Sequence, residues 1–315
     1  MNRIGKRPMN KLAFGLILAC AVSMTAMAGG TAHADGKYVI GYANMADTDV
    51  FVMSVKTAFI KAAQADPNVD VLFADANNDV SKQLDQIDNF IAQKVNAIVV
   101  VPADYQGIVA GVEKANEAGI PIIALNIQSA GGKYTFVGSK NIDAGRMQGA
   151  FMKERLPKDA KVLYLQGTLG LYHSAERLKG FTEALDRPDV KILANQTGNY
   201  DRAEGMKVAE DWIQTFPQFD AIIAANDQMA LGALQALKSA NRSAGVMISG
   251  IDGRPDAVKA IADGDMSQSV FQNAVGQAKA AFEVVEDLKN GKPAPEEKLV
   301  PFESITKDNV KDYEK

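Results

Sequence analysis

The chain has 315 residues, 47% of them hydrophobic and 23% charged, a composition typical of a soluble globular protein with one large domain or two of ordinary size. Its formal net charge is −4, and because segment 1–34 holds four basic residues and no acidic ones, loss of that segment takes the charge to −8. An acidic chain with dispersed charge argues against nucleic acid or an anionic membrane as the main partner.

Segment 1–34 is predicted to be a signal peptide. Basic residues precede an apolar stretch over 12–22, and Ala32-His33-Ala34 forms an A-x-A cleavage pattern. The apolar stretch is shorter than the roughly 20 residues that a membrane-spanning helix needs, which argues against an uncleaved anchor. We therefore expect export and a mature chain that begins at Asp35.

Cys20 leaves one alternative open. Ile17-Leu18-Ala19-Cys20 resembles a bacterial lipoprotein processing box, which would leave the protein lipid-anchored at Cys20 on the outer face of the membrane. With cleavage after Ala34 instead, the mature chain contains no cysteine. Disulfides, thiolate chemistry and cysteine-based metal sites are then excluded.

Beyond Asp35 the sequence alternates between predicted strands and predicted helices. Short apolar runs predict strands in a first series at 38–43, 69–74, 97–101 and 120–125, and in a second at 134–138, 161–166, 190–194, 221–225, 246–251 and 267–271. Apolar residues at helical spacing predict the intervening helices, including 203–216 and a long final helix over 274–290, with an extended tail through 299–302. Alternation of this kind predicts two α/β domains, each with a parallel sheet covered by helices.

Two neighbouring strand ends carry the clearest functional signal. The apolar run 221–225 stops at Asn226, and the run 246–251 stops at Asp252. Ligands of open α/β sheets bind beyond the carboxyl ends of the strands, so both side chains are expected at a ligand-facing rim. Asp227, between strand and helix, is interpreted as a helix N-cap. The pair suggests a small ligand rich in hydroxyl groups.

The chain lacks the motifs of common catalytic and cofactor sites. No G-x-G-x-x-G or phosphate-binding loop follows a predicted strand. His33 leaves with the signal peptide, and His173 alone cannot supply a zinc site or a Ser-His-Asp relay. His173 is interpreted as a loop side chain, with a hydrogen-bond donor at the rim as the alternative. We expect a binding protein rather than an enzyme, without a cofactor or a bound metal.

Several ordered motifs resemble one family. Ala224-Ala225-Asn226-Asp227 with the residues up to 234, together with Ile251-Asp252-Gly253 and segments 165–167 and 176–181, resemble the periplasmic ribose-binding proteins, the substrate-binding subunits of bacterial sugar ABC importers. The resemblance covers about 38–302. It implies two Rossmann-like lobes with parallel sheets, joined by a hinge that the chain crosses near 138–140, 272–273 and 298–301. One lobe would comprise 35–139 plus 273–298, and the other 140–272 plus 299–315.

The resemblance also implies a ligand site between the lobes, formed by Asp49, Phe51, Asn126, Ile127, Arg177, Tyr200, Asn226, Asp252 and Gln272. Carboxylates and amides pair with vicinal hydroxyls, arginine supplies a rigid donor fork, and aromatic rings cover the apolar faces of a sugar. Simpler interpretations remain for some of these residues. Arg177, placed in a first helical turn after an expected N-cap at Ser174, could be a surface ion-pair member, and Phe51 and Tyr200 could be core aromatics.

Two departures from the ribose pattern bear on the ligand. Ribose binders carry an Asp-Arg pair where this chain has Asn126-Ile127, and an asparagine where it has Asp49. A hydrogen-bonding site rejects a ligand that leaves its buried groups unpaired, which argues against ribose itself. A different pentose, a hexose, a linear polyol or an inositol remains open.

The sequence therefore predicts a periplasmic, monomeric protein that captures a small sugar or polyol and delivers it to the permease of an ABC importer. The alternative is a sensor that presents an autoinducer-like or inositol-type ligand to a membrane receptor such as a chemoreceptor. Sugar-responsive repressors share the two-lobe fold, but they carry a DNA-binding headpiece where this chain has a signal peptide.

Overall fold

A computed structural model describes residues 36–314. The predicted signal peptide and Cys20 lie outside the described residues. Within them, none of the helices combines the length and apolar character needed to cross a membrane.

The first lobe alternates strands and helices. In chain order it contains β1 (Tyr38–Asn44), α1 (Val50–Ala63), β2 (Val69–Asp75), α2 (Val80–Ala92), β3 (Ala97–Val100), α3 (Val109–Glu117), β4 (Ile122–Leu125) and β5 (Thr135–Gly138). The chain then enters the second lobe through α4 (Asn141–Arg155), followed by β6 (Lys161–Gln166), α5 (Tyr172–Leu185), β7 (Lys191–Thr197), α6 (Arg202–Thr215), β8 (Ala221–Ala224), α7 (Asp227–Ser239), β9 (Met247–Asp252), α8 (Pro255–Asp263) and β10 (Gln268–Phe271).

The end of the chain visits both lobes. Helix α9 (Ala274–Lys289) and β11 (Glu297–Leu299) belong to the first lobe, and β12 (Glu303–Thr306) and a 3-10 turn over Val310–Asp312 belong to the second. The first sheet has the order β11-β5-β4-β3-β1-β2, and the second has the order β12-β10-β9-β8-β6-β7. Three short segments therefore join the lobes, between Gly138 and Asn141, Phe271 and Ala274, and Leu299 and Glu303.

The predicted fold class is confirmed: both sheets are parallel and flanked by helices. One exception is β12, which pairs antiparallel with β10 at the edge of the second sheet. Of the expected extended tail over 299–302, only Leu299 lies in a strand, and 300–302 connect β11 of the first sheet to β12 of the second. Strand β7 runs to Thr197, three residues beyond its prediction, because it is an edge strand whose polar end still pairs with Gln166 of β6.

Each lobe has its own apolar core on both faces of its sheet. The strand residues of β3, β4 and β8 are all buried, which explains why their sequences are continuous apolar runs rather than alternating patterns. Trp212 packs in the second core, as its place on the apolar face of α6 predicts.

Helices α4 and α5 approach closely at three glycines, Gly145, Gly149 and Gly180. A methyl group on Gly145 would overlap the carbonyl oxygen of Arg177, and one on Gly180 would overlap the carbonyl oxygen of Ile142. The absence of side chains at these positions lets the two backbones touch. Because Arg177 lies at this contact, the glycines also set its position.

We expect Gly145→Ala to destabilise the protein, because the added methyl group forces α4 and α5 apart. The cost should be about 1–3 kcal/mol, the usual range for overpacking. Urea unfolding monitored by circular dichroism measures it. Gly131→Ala is the control, because the added methyl group there meets only a valine side chain and the backbone φ is not positive. Equal stability of Gly145→Ala and wild type would contradict the tight contact.

Candidate functional site

A cavity of about 320 Å³ lies between the two lobes, at the carboxyl ends of the strands. We call it the cleft. All nine residues predicted as ligand contacts line it: Asp49, Phe51, Asn126, Ile127, Arg177, Tyr200, Asn226, Asp252 and Gln272. The structure thus brings together side chains that are up to 223 positions apart in the sequence, from Asp49 to Gln272. The topology places them there, since each lies at a strand end, in the loop that follows it or in the first two turns of the next helix.

Arg177 is the buried cation of the cleft. Its Nε donates to Asn141 Oδ1 at 2.9 Å, Nη1 to the Ala225 carbonyl oxygen at 2.6 Å and Nη2 to Gln272 Oε1 at 3.0 Å. The side chain is not a surface ion-pair member. Three of its five N–H donors are therefore satisfied by the protein, and two are left for a ligand.

The expected helix start at Ser174 is wrong. Helix α5 begins at Tyr172, so Ser174 lies inside the helix and Arg177 lies in its second turn. The guanidinium is therefore farther from the helix N-terminus than the sequence suggested, and the opposition between its charge and the helix dipole is weaker, since that effect is confined to the first turn. Its burial is compensated by the hydrogen bonds to Asn141, Ala225 and Gln272.

Asp252 is the acceptor with the fewest protein partners. It is 8% exposed, and its carboxylate makes no hydrogen bond with any residue between 36 and 314. Burial raises the pKa of Asp252 well above its usual range, and the neighbouring Asp227 raises it further. Its backbone has φ of 130°, a conformation that side chains rarely adopt. An unpaired carboxylate held on a strained backbone suits an external hydrogen-bond donor.

Asn226, not Asp227, caps helix α7. The Asn226 Oδ1 accepts from the Met229 N–H at 3.0 Å, and its Nδ2 donates to the Tyr200 carbonyl oxygen at 3.1 Å. The assignment of Asp227 as the N-cap is therefore wrong. Asp227 is fully buried and accepts from Ser269 Oγ at 2.7 Å and from the Arg254 N–H at 2.8 Å, so it ties the start of α7 to β10 and to the segment between β9 and α8.

Two polar residues of the first lobe face these groups. Asp49 caps helix α1 by accepting from the Val52 N–H at 2.8 Å, and burial raises the pKa of its carboxyl group. Asn126, at φ of 67°, donates from Nδ2 to Gln277 Oε1 at 3.0 Å. Each has a structural task and still lines the cleft, so capping and ligand contact are compatible at both positions.

Tyr200 and His173 form an aromatic wall. Their rings stack with centroids 5.2 Å apart and an interplanar angle of 23°, and the Arg177 guanidinium lies 5.9 Å from the Tyr200 ring. Gly167 leaves the room that the Tyr200 ring occupies. Tyr200 is thus a cleft aromatic rather than a deep core residue, and its flat face suits the apolar side of a sugar or polyol ring.

The interpretation of His173 as a loop side chain is wrong. It is the second residue of α5 and lines the cleft. Burial, with a smaller contribution from Arg177, lowers the pKa of His173 to about 3, so the imidazole is neutral at physiological pH. The sequence analysis did not count His173, Asn141 or Arg254 among the ligand contacts. Their position in the cleft depends on the approach of distant segments rather than on a local motif.

Backbone strain is concentrated around the cleft. Among residues 36–314, ten non-glycine residues have positive φ, and five of them line the cleft: Asn78, Asn126, Asn199, Tyr200 and Asp252. Such conformations persist where the surrounding structure enforces them, and they cluster at ligand sites. The strain and the polar lining point to the same region as functional. Residues 36–314 contain no cluster of His, Cys, Asp or Glu that could hold a metal ion.

The matching family model is described as periplasmic binding protein domain and covers residues 40–293. The chain belongs to this family. A putative rhizopine-binding protein of Rhizobium meliloti is 35% identical over 97% of this chain and 99% of its own length. A ribose import binding protein of Bacillus subtilis is 33% identical over 89% of this chain and 92% of its own length.

A solved structure shows a similar fold. It is a solute-binding protein of an ABC transporter from Bacillus halodurans with bound myo-inositol, and it superposes on this chain with a TM-score of 0.84. The two chains are 33% identical, and the match covers 90% of this chain and 99% of the other. The resemblance to ribose-binding proteins is thus confirmed at the level of the family. These relatives are solute-binding proteins of import systems rather than enzymes.

Proposed function

We propose that this protein is an exported binding protein that captures a small sugar or polyol in the cleft and delivers it to an ABC-type importer. The observation that carries the proposal is that two buried groups with unused hydrogen-bonding capacity line the same cleft. Asp252 is an acceptor without a protein donor among residues 36–314, and Arg177 is a cation that keeps two donors free. Ligand names among the relatives, rhizopine, ribose and myo-inositol, support a hydroxyl-rich ligand.

The cleft offers complementary groups to such a ligand. A hydroxyl group both donates and accepts a hydrogen bond, so one hydroxyl can donate to Asp252 while its oxygen accepts from Arg177. Asn226 and Asp49 add further acceptors on the two sides of the cleft. The ring faces of Tyr200 and Phe51 then cover the C–H surface of the ligand. We propose all nine predicted residues as ligand contacts on this basis.

Periplasmic location, a monomeric state and contact with a permease follow from the proposed role. The predicted lobe limits, 35–139 plus 273–298 and 140–272 plus 299–315, stay a prediction. The ligand would stabilise a closed arrangement of the lobes, and the permease would distinguish the closed form from the open one.

A stacked tyrosine pair supports closure as part of the mechanism. Tyr105 of the first lobe and Tyr172 of the second lie with ring centroids 4.6 Å apart and an interplanar angle of 11°. This contact joins the lobes through side chains that lie outside the three hinge segments. It can form only when the lobes are close, so it stabilises the closed form selectively.

We expect Tyr105→Ala to weaken ligand binding about three- to tenfold, because an aromatic pair contributes about 0.5–1.5 kcal/mol and in this protein contributes it to the closed form alone. Isothermal titration measures the dissociation constant. Tyr105→Phe keeps the ring and should bind as wild type does. If Tyr105→Ala binds as tightly as Tyr105→Phe, the stack has no part in closure.

A thermal-shift screen of the mature protein tests the proposed function. The panel contains pentoses, hexoses, linear polyols and inositols, including ribose, xylitol and myo-inositol. A ligand that binds only the folded protein stabilises it, by about 2.7 kcal/mol at a concentration of 100 times Kd, and therefore raises its melting temperature. We expect a rise with at least one polyol. If no compound in the panel shifts the melting temperature, the sugar or polyol assignment is wrong.

A further inference from the structure

A second cavity of about 150 Å³ adjoins the cleft near the hinge. We call it the side pocket. Its walls come from both lobes, with Gln128 and Phe136 from the first and Tyr172 from the second, and Ser139 of a hinge segment also lines it. The side pocket is therefore formed between the lobes, like the cleft itself.

The cleft and the side pocket share one wall, formed by Asn126, Ile127, Asn141 and His173. Ile127 is buried, and its side chain carries no charge and no hydrogen-bond donor. The boundary between the two cavities is therefore apolar at this position.

His173 adds a polar group to the same wall. Its Nδ1 is buried and has no hydrogen-bond partner among residues 36–314. A neutral imidazole has one donor and one acceptor nitrogen, and the lowered pKa of His173 keeps it neutral. A hydroxyl group beside Nδ1 can pair with either tautomer, because it both donates and accepts. An ether oxygen only accepts, so it pairs with the tautomer that carries the proton on Nδ1.

We propose that the side pocket is a ligand subsite and that the ligand is an O-substituted sugar or polyol, with its hydroxyl-rich ring in the cleft and its substituent beyond Ile127 in the side pocket. The inference rests on the proposed function and makes its ligand class narrower. The volume of the side pocket admits a substituent of several non-hydrogen atoms. Phe136, Tyr172 and Ile127 supply apolar surface, so alkyl substituents gain affinity by burial.

Isothermal titration of the mature protein tests the subsite. The probes are myo-inositol, ribose and xylitol, each compared with its full set of mono-O-ethyl ethers. Burial of a methylene group improves binding about fourfold, so an ethyl group in the side pocket should improve it about tenfold or more. We expect this gain for at least one ether of a parent compound that binds.

Two variants of Gln128, which lines the side pocket but not the cleft, locate the gain. Gln128→Trp fills the side pocket and should remove the gain of the ether while the parent compound keeps its affinity within about threefold. Gln128→Ala enlarges the side pocket and should preserve the gain. Circular dichroism establishes that each variant is folded.

The outcomes separate the two proposals. If a parent compound binds and none of its ethers binds more tightly, the subsite is overturned and the proposed function stands. A gain that survives in folded Gln128→Trp, or a loss of the gain in Gln128→Ala, also overturns the subsite. If neither the parents nor the ethers bind, the subsite is overturned, and the proposed function fails as well only if the whole thermal-shift panel is also without effect.

Discussion

Asp252→Asn is expected to raise the melting temperature of the ligand-free protein while weakening ligand binding at least about a hundredfold. The binding loss follows from the carboxylate's part in the cleft, because each hydrogen bond to a charged group contributes about 1.5–3 kcal/mol. The gain in stability follows from the removal of a buried charge beside Asp227. If removing this charge raises the free energy of unfolding by about 1 kcal/mol, the melting temperature rises by about 2–4 °C in a chain of this size.

The stability of the ligand-free protein should depend on pH through the two buried aspartates. Because the pKa values of Asp252 and Asp227 are raised in the folded protein, the folded state binds protons more tightly than the unfolded state, whose aspartates titrate near 3.9. Stability should therefore fall as pH rises from about 4 through the folded pKa values. Asp252→Asn should make this decline shallower. Differential scanning calorimetry between about pH 4 and pH 8 measures both effects.

Asp308→Asn is the matched control, since it removes an exposed carboxylate from the same lobe. It should change neither the pH profile nor ligand binding. A lower melting temperature for Asp252→Asn than for wild type would show that the carboxylate stabilises the ligand-free fold, contrary to this prediction.

Arg177→Ala is expected to lower the free energy of unfolding by about 3–5 kcal/mol and to abolish the ligand-induced thermal shift. The substitution leaves Asn141, Gln272 and the Ala225 carbonyl group without their donor, and each unpaired buried group costs about 1–3 kcal/mol. Urea unfolding measures the loss of stability, and titration below the melting temperature of the variant measures binding.

Two further variants make the result specific. Arg177→Lys keeps the charge but loses the planar donor fork, so it should remain less stable than wild type and bind weakly. Arg155→Ala removes an arginine with an exposed ion pair and should change stability by less than about 1 kcal/mol. If Arg177→Ala were as stable as Arg155→Ala, the hydrogen bonds of the Arg177 guanidinium would contribute nothing to the stability of the protein.

The fold could be predicted from the sequence because its signals are local. Strands β3, β4 and β8 are buried on both faces, so their runs of apolar residues identify them directly. The order of strands and helices then leaves few topologies open. The motifs around Asn226 and Asp252 located the cleft for the same reason, because a strand end is visible in the sequence.

What the sequence could not show depends on backbone geometry and distant contacts. Asn226 and Asp227 are both good capping residues, and only the point at which the backbone turns into α7 decides between them. Ser174 has a capping side chain, yet α5 starts earlier, at Tyr172. The pairing of Tyr105 with Tyr172 and the position of His173 in the cleft wall arise only when the two lobes come together.

The proposed function requires that a sugar or polyol binds between the lobes against Asp252 and Arg177. A crystal structure of the mature protein with the compound that gives the largest thermal shift shows whether it does. We expect the ligand in the cleft, with hydroxyl oxygens about 2.6–3.2 Å from the Asp252 carboxylate and the Arg177 guanidinium. A ligand bound elsewhere, or one in the cleft that contacts neither side chain, would contradict the claim.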